Sequence, residues 1–132
     1  KTLDELGVEY TDMGTNSPDS VDYPDYARKV GEAVAAGDFD KGILVCGSGT
    51  GMAIAANKVP GIRAAVAWNE EIARLSRQHN NANVLSLAGR FIPEAEQAKI
   101  VKAWLETDFE GGRHATRVEK IEQIEKEDLE QK

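Results

Sequence analysis

The chain has 132 residues, with 16 Lys plus Arg against 23 Asp plus Glu and a formal net charge of −7. One domain suits that length, and 41% hydrophobic residues with only 12 Gly and 4 Pro allow a buried core, which excludes wholesale disorder and collagen. Basic residues mostly interleaved with acids leave no footprint for nucleic acid, and no apolar run approaches the roughly 18 residues of a membrane span.

Lys1 to Leu6 reads as the last turns of a helix, with Gly7 at its C-terminal turn and an alternating Val8–Thr11 strand after it. Turn formers from Gly14 to Pro18 lead to Asp22-Tyr23-Pro24, where proline is tolerated in a first helical turn. Tyr26, Ala27, Val30 and Val34 form the apolar face of the helix that follows. Gly42 to Cys46 is a short continuous apolar run, as expected of a strand buried on both faces, and it enters Gly47-Ser48-Gly49-Thr50-Gly51 and an alanine-rich helix to Asn57. Arg63 to Ala67 is a second buried strand. Asn69 caps a helix carrying Ile72 and Leu75, Asn83 to Leu87 is a further strand, and Pro93 opens a helix through Val101, Trp104 and Leu105. Arg113 to Leu129 is a charged helix whose thin stripe of Val118, Ile121 and Ile124 suggests packing on a partner subunit. Strands alternating with helices imply a parallel sheet with right-handed crossovers and helices on both faces.

Ligands of such sheets bind outside the carboxyl ends of the strands. The loop at Cys46 is there, and Gly47, Gly49 and Gly51 let its amides face an anion or a developing oxyanion. A tight strand-to-helix turn without a ligand accounts for the same spacing. It is neither a Walker loop, since no Gly-Lys-Ser/Thr follows, nor a dinucleotide fingerprint, since Met52 replaces the third glycine. Cys46 reads either as a small buried hydrophobe or as a thiolate serving as base or nucleophile. It cannot form an internal disulfide, and with only His79 and His114 beside it the usual spacings assemble no zinc site, so no metal is expected. His79 lies just before a strand, polar and accessible, as a surface residue or an acid–base group. Arg113 and Arg117 share a helix face behind Gly111-Gly112, either as a fork for phosphate with His114 beside them or as a solvated face paired with Glu110 and Glu119.

Asp22-Tyr23-Pro24-Asp25, the run Gly42 to Lys58, His79 to Leu85 and Gly111-Gly112-Arg113-His114, in that order, resemble the ribose-5-phosphate isomerase B family, which includes galactose-6-phosphate isomerase subunits. The resemblance covers nearly the whole chain. It implies a Rossmann-like three-layer α/β/α fold, one sugar-phosphate isomerase domain over residues 1–132, and a homodimer or dimer of dimers with active sites between subunits. It further implies aldose–ketose isomerisation of a phosphorylated sugar, ribose 5-phosphate first, without metal or organic cofactor.

By position, Cys46 resembles the base that moves a proton between C2 and C1, with Ser48 where the family usually has an assisting threonine. Gly47, Gly49, Thr50 and Gly51 resemble the enediolate-binding loop, His79 the ring-opening residue, Asn80 a substrate contact, Arg113 with Arg117 the phosphate clamp, and Tyr23 a further substrate-binding residue. The family starts with a strand ending in Asp-His-Ala-Gly, which has no counterpart before Lys1, so an open gap in mid-sheet, or a strand missing only from the given sequence, is expected beside the strand ending at Cys46. Lys1 to Tyr10 lacks the apolar stretch of a signal peptide, and a cytoplasmic location is expected. The competing class is a non-catalytic nucleotide- or phosphate-binding α/β module, indifferent to substitution of Cys46. Isomerases of galactose 6-phosphate or allose 6-phosphate are nearer alternatives. A cysteine hydrolase is disfavoured because no third residue to orient a Cys–His pair is evident.

Overall fold

The computed structural model describes residues 10–11 and 22–130. Its elements are α1 (Tyr23–Ala35), β1 (Gly42–Cys46), α2 (Thr50–Ala56), β2 (Ala64–Val66), α3 (Glu70–Asn80), β3 (Val84–Ala88), α4 (Glu94–Leu105) and α5 (Arg113–Glu130). The expected Lys1–Leu6 helix and the Gly14–Pro18 turn lie outside the described residues. Of the expected Val8–Thr11 strand only Tyr10 and Thr11 are described, and neither is in a strand.

The strands form a parallel sheet in the order β1-β3-β2. Gly42 pairs with Val84 and Cys46 with Ala88, while Ala64 pairs with Val84 and Val66 with Ser86. All five residues of β3 are buried, as expected of a central strand covered on both faces. Alternation sorts the core into two layers. Leu44 and Val84 pack with Ala27 and Val34 of α1 and with Met52 and Ala56 of α2. Leu85 and Leu87 pack with Ala73 of α3 and with Ile100, Val101 and Trp104 of α4. Helices therefore cover both faces, giving three layers.

β2 is shorter than Arg63–Ala67 and only half-buried, which corrects the expected buried strand. Among the described residues it meets one neighbour, β3, so its ladder bonds to them form on one edge. At its start the Arg63 N–H donates to the Asn83 side-chain oxygen at 2.8 Å, while past its end the Ala67 N–H still bonds the Ser86 carbonyl of β3 at 3.2 Å. β1 likewise pairs only with β3, and on its other side no strand stands among the described residues. In α5 only His114 and Val118 are buried, whereas Ile121 and Ile124 remain exposed. No helix of the described residues is long and apolar enough to cross a membrane.

Candidate active site

Cys46 ends β1, half-buried, with a free thiol. The backbone beyond it is fixed from β3: the Gly89 N–H donates to the Cys46 carbonyl at 2.6 Å and the Arg90 N–H to the Gly47 carbonyl at 3.1 Å. Buried Ser86 donates its hydroxyl to the Gly49 carbonyl at 2.6 Å, which ties the loop to the central strand. Gly49 has φ +79°, and a Cβ there would lie 3.1 Å from the Leu87 carbonyl carbon, so both conformation and space require glycine. At Gly51 a Cβ would lie 2.8 Å from the Tyr23 ring and hydroxyl, which places Tyr23 directly against the loop. Arg90 lies across Gly47, its side chain 3.3 Å from where a Cβ would stand. The Thr50 N–H donates to the Ser48 hydroxyl at 3.4 Å, and the amides of Gly47, Ser48 and Gly49 have no acceptor among the described residues. A rim of Cys46, Ser48, Thr50, Tyr23 and Arg90 thus surrounds a loop whose amides can accept negative charge.

A second group stands elsewhere. His79 belongs to the last turn of α3, half-buried, which corrects the expectation of an accessible residue before a strand. The helix ends one residue later at Asn80, because Asn81 adopts a left-handed C-cap at φ 47°. Buried Arg77 fixes this turn by donating to the Asn81 side chain at 2.9 Å, the Ala82 carbonyl at 2.7 Å and the Thr107 carbonyl at 3.1 Å. The His79 ring stacks on that of His114, centroids 4.1 Å apart and planes within 10°. His114 Nε2 lies 3.5 Å from a Glu110 carboxylate oxygen. Burial pushes the His114 imidazolium below its usual pKa, with His79 and Arg113 adding to the shift and Glu110 opposing it.

Arg113 and Arg117 are exposed on consecutive turns of α5, and neither has an ion pair among the described residues. The fork reading therefore keeps two available guanidinium groups. Spacing alone assembled no metal set, yet the fold brings His79, Glu110 and His114 together, one ligand atom from each lying within 4.8 Å of the other two.

These groups occupy opposite ends of the sheet. Cys46 stands at the carboxyl end of β1, whereas α3 delivers His79 and Asn80 just ahead of Val84, which pairs with Gly42 at the amino end. Four strand steps of about 3.3 Å separate the two ends, about 13 Å. Tyr23 and the glycine loop lie at the end that carries Cys46, and Asn80, Arg113 and Arg117 on the segments around His79. Sequence reading missed Arg90, Ser86 and Arg77. Arg90 had a signal, since Gly89-Arg90 directly follows a buried strand at the edge where ligands bind. Ser86 and Arg77 had none, because Ser86 bonds a carbonyl 37 residues away and the Arg77 bonds depend on the turn at Asn81 and on Thr107 after α4.

Residues 1–121 match the family model described as Ribose/Galactose Isomerase. The chain belongs to this family. Its sequence is 52% identical to ribose-5-phosphate isomerase B of Escherichia coli over 123 residues, covering 93% of this chain and 83% of that protein. The solved structure of Clostridium thermocellum ribose-5-phosphate isomerase B matches with a TM-score of 0.92 at 54% identity, over 95% of this chain and 84% of that one. That of Mycoplasma genitalium ribose-5-phosphate isomerase B, with bound ribulose 5-phosphate, matches with a TM-score of 0.90 at 46% identity, again over 95% of this chain and 84% of that one. The parallel sheet and its helical layers are those of a ribose/galactose isomerase, and the chain is a sugar-phosphate isomerase by family.

Proposed function

We propose that this chain interconverts ribose 5-phosphate and ribulose 5-phosphate in a site completed by two copies, Cys46 and its loop coming from one and His79, Asn80, Arg113 and Arg117 from the other. The observation that carries the substrate is the bound ribulose 5-phosphate of the Mycoplasma genitalium relative. The two-copy arrangement rests on the separation of Cys46 from His79 along the sheet. Exposed Val45, Trp68 and Phe91, each at or just beyond the carboxyl end of a strand, give the loop rim an apolar surface suited to a partner.

The sugar enters as a closed ring, and His79 moves the proton that opens it, since a neutral imidazole carries one donor and one acceptor nitrogen. The Cys46 thiolate then removes the proton from C2, and the electron pair passes to the carbonyl oxygen as a cis-enediolate. Amides of Gly47 to Gly51 and the hydroxyls of Ser48 and Thr50 face that charge in a partly enclosed loop. A hydroxyl proton passes from O2 to O1 and the thiol returns its proton to C1, so the C2–O2 bond becomes the carbonyl of the ketose with no net change in oxidation over the two carbons. Arg113 and Arg117 hold the remote phosphate, Arg90 adds a positive group at the loop, and Tyr23 and Asn80 contact the sugar. The whole chain acts as one isomerase domain, without cofactor, in the cytoplasm and in the pentose phosphate interconversions.

The test is a coupled assay run in both directions with ribose 5-phosphate and ribulose 5-phosphate, beside galactose 6-phosphate and allose 6-phosphate. Greatest kcat/KM with ribose 5-phosphate is expected. Turnover confined to a hexose phosphate would overturn the substrate, and adenine-nucleotide binding with no turnover would overturn the activity.

A further inference from the structure

We propose that His79, Glu110 and His114 form a binding site for a late first-row transition metal such as Zn²⁺ or Co²⁺, with three protein ligands and a position open to solvent. One ligand atom from each of the three lies within 4.8 Å of the other two. His79 comes from the last turn of α3, and the segment Glu110 to His114 is docked against that turn by the Glu110 N–H, which donates to the Gln78 carbonyl at 3.1 Å. The cluster is therefore held by backbone and ring contacts between two separate parts of the chain. His114 is buried and its Nε2 already faces Glu110 at 3.5 Å.

The donor set decides the metal. Two imidazole nitrogens and one carboxylate are the ligands of three-residue zinc sites. Arg113 on the same helix, and Arg117 one turn on, place positive charge beside the cluster. That disfavours Mg²⁺ and Ca²⁺, which bind ionically through many oxygens, and leaves metals that bond strongly to imidazole.

Binding needs a defined movement. The rings are within 10° of parallel, so their lone pairs run side by side rather than converging. Ligand atoms around a tetrahedral zinc at 2.0–2.1 Å stand roughly 3.3 Å apart, so the rings must splay about χ2 and the carboxylate must close in. Gly111 and Gly112, between Glu110 and His114, have no atom within 4 Å of their Cβ positions, which leaves the connecting turn free to follow.

A metal here takes the lone pair that His79 needs for ring opening, so occupancy blocks isomerisation. This consequence rests on the proposed role of His79, whereas the site itself does not. Chelator-treated protein is titrated with CoCl₂ and ZnCl₂, with Co²⁺ visible absorption and equilibrium dialysis as readouts and turnover followed separately.

One metal per chain in the micromolar range is expected, weakened at least about tenfold in Glu110→Gln, abolished in His114→Asn and unchanged in Cys46→Ser. Glu110 is exposed, so its variant keeps the test sound if His114→Asn misfolds. Absence of saturable binding overturns the site, as does binding that is lost in Cys46→Ser and kept in Glu110→Gln and His114→Asn. Binding with the expected variant pattern supports the site whether or not turnover falls. If turnover does not fall, it is the ring-opening role of His79 that is overturned.

Discussion

An alanine at position 49 would have to take φ +79° and set its methyl 3.1 Å from the Leu87 carbonyl carbon. The left-handed angle alone costs roughly 1–2 kcal/mol, and the contact must push the loop off β3. Gly49→Ala is therefore expected to lower stability by at least that amount in urea unfolding and to reduce kcat, because Cys46 and the loop amides shift with it. Cys46→Ala differs in kind. The thiol is half-exposed and the truncation removes one atom, so stability should change by less than about 1 kcal/mol while isomerisation falls to background. Retention of more than a few per cent of turnover would assign the proton transfer to another group.

His114 adds a pH signature. Its folded pKa is depressed, so below its ordinary value near 6.5 the unfolded chain binds the proton more readily. Stability is then full above that value and falls with decreasing pH until the folded group also protonates. Urea midpoints measured across that range should drop more for the wild-type protein than for His114→Asn, and equal slopes would remove His114 from the account.

At the scale of elements, the end of α3 depends on one buried cation. Arg77 donates to Asn81, Ala82 and Thr107 and lies 6.0 Å from the Trp104 ring centroid. Arg77→Met keeps much of the volume and leaves those acceptors without their donor, so a loss of roughly 2–4 kcal/mol is expected, with the His79 turn loosened. A thermal midpoint unchanged from wild type would sink this view.

α1, α4 and β3 were legible in the sequence because their apolar spacing matches their burial, and α3 because Asn69 caps it through a 2.8 Å bond from the Ile72 N–H, whereas on α5 Ile121 and Ile124 of the apolar stripe stay exposed. The extent of β2 was not, since an edge position shortens it, and edge status depends on strand order rather than on Arg63 to Ala67 themselves. The helical place of His79 was hidden because asparagines favour turns and two follow it, yet only Asn81 leaves the helix. On α5, the i, i+4 spacing of Arg113 and Arg117 did identify one exposed face. Each arginine to alanine is expected to raise KM for the phosphorylated sugar about 10- to 150-fold with a smaller effect on kcat, as charge-assisted contacts of roughly 1.5–3 kcal/mol imply. Unchanged steady-state kinetics in both variants would return that face to solvent.

For the whole molecule, the residues that the motifs single out fall into two groups, at opposite ends of the same three strands. Sequence order could not reveal this, because a parallel β-α-β passage returns each helix end to the amino edge, while spacing along the chain suggests nothing about which edge a residue occupies. On the proposed two-copy arrangement, a single chain holds half of one site and half of another. If two copies exchange these halves, a Cys46→Ala chain and a His79→Ala chain are each inactive alone, yet a mixed dimer pairs the intact Cys46 of one with the intact His79 of the other. After subunits are mixed in equal amounts and allowed to exchange fully, half the dimers are mixed and each carries one sound site of two, so about one quarter of wild-type activity should return. The double variant Cys46→Ala/His79→Ala, mixed with wild type, provides the control for simple dilution. No recovery, with subunit exchange confirmed by mass spectrometry of differently labelled chains, would place both residues' work within one chain and would contradict the distance that separates them along the sheet.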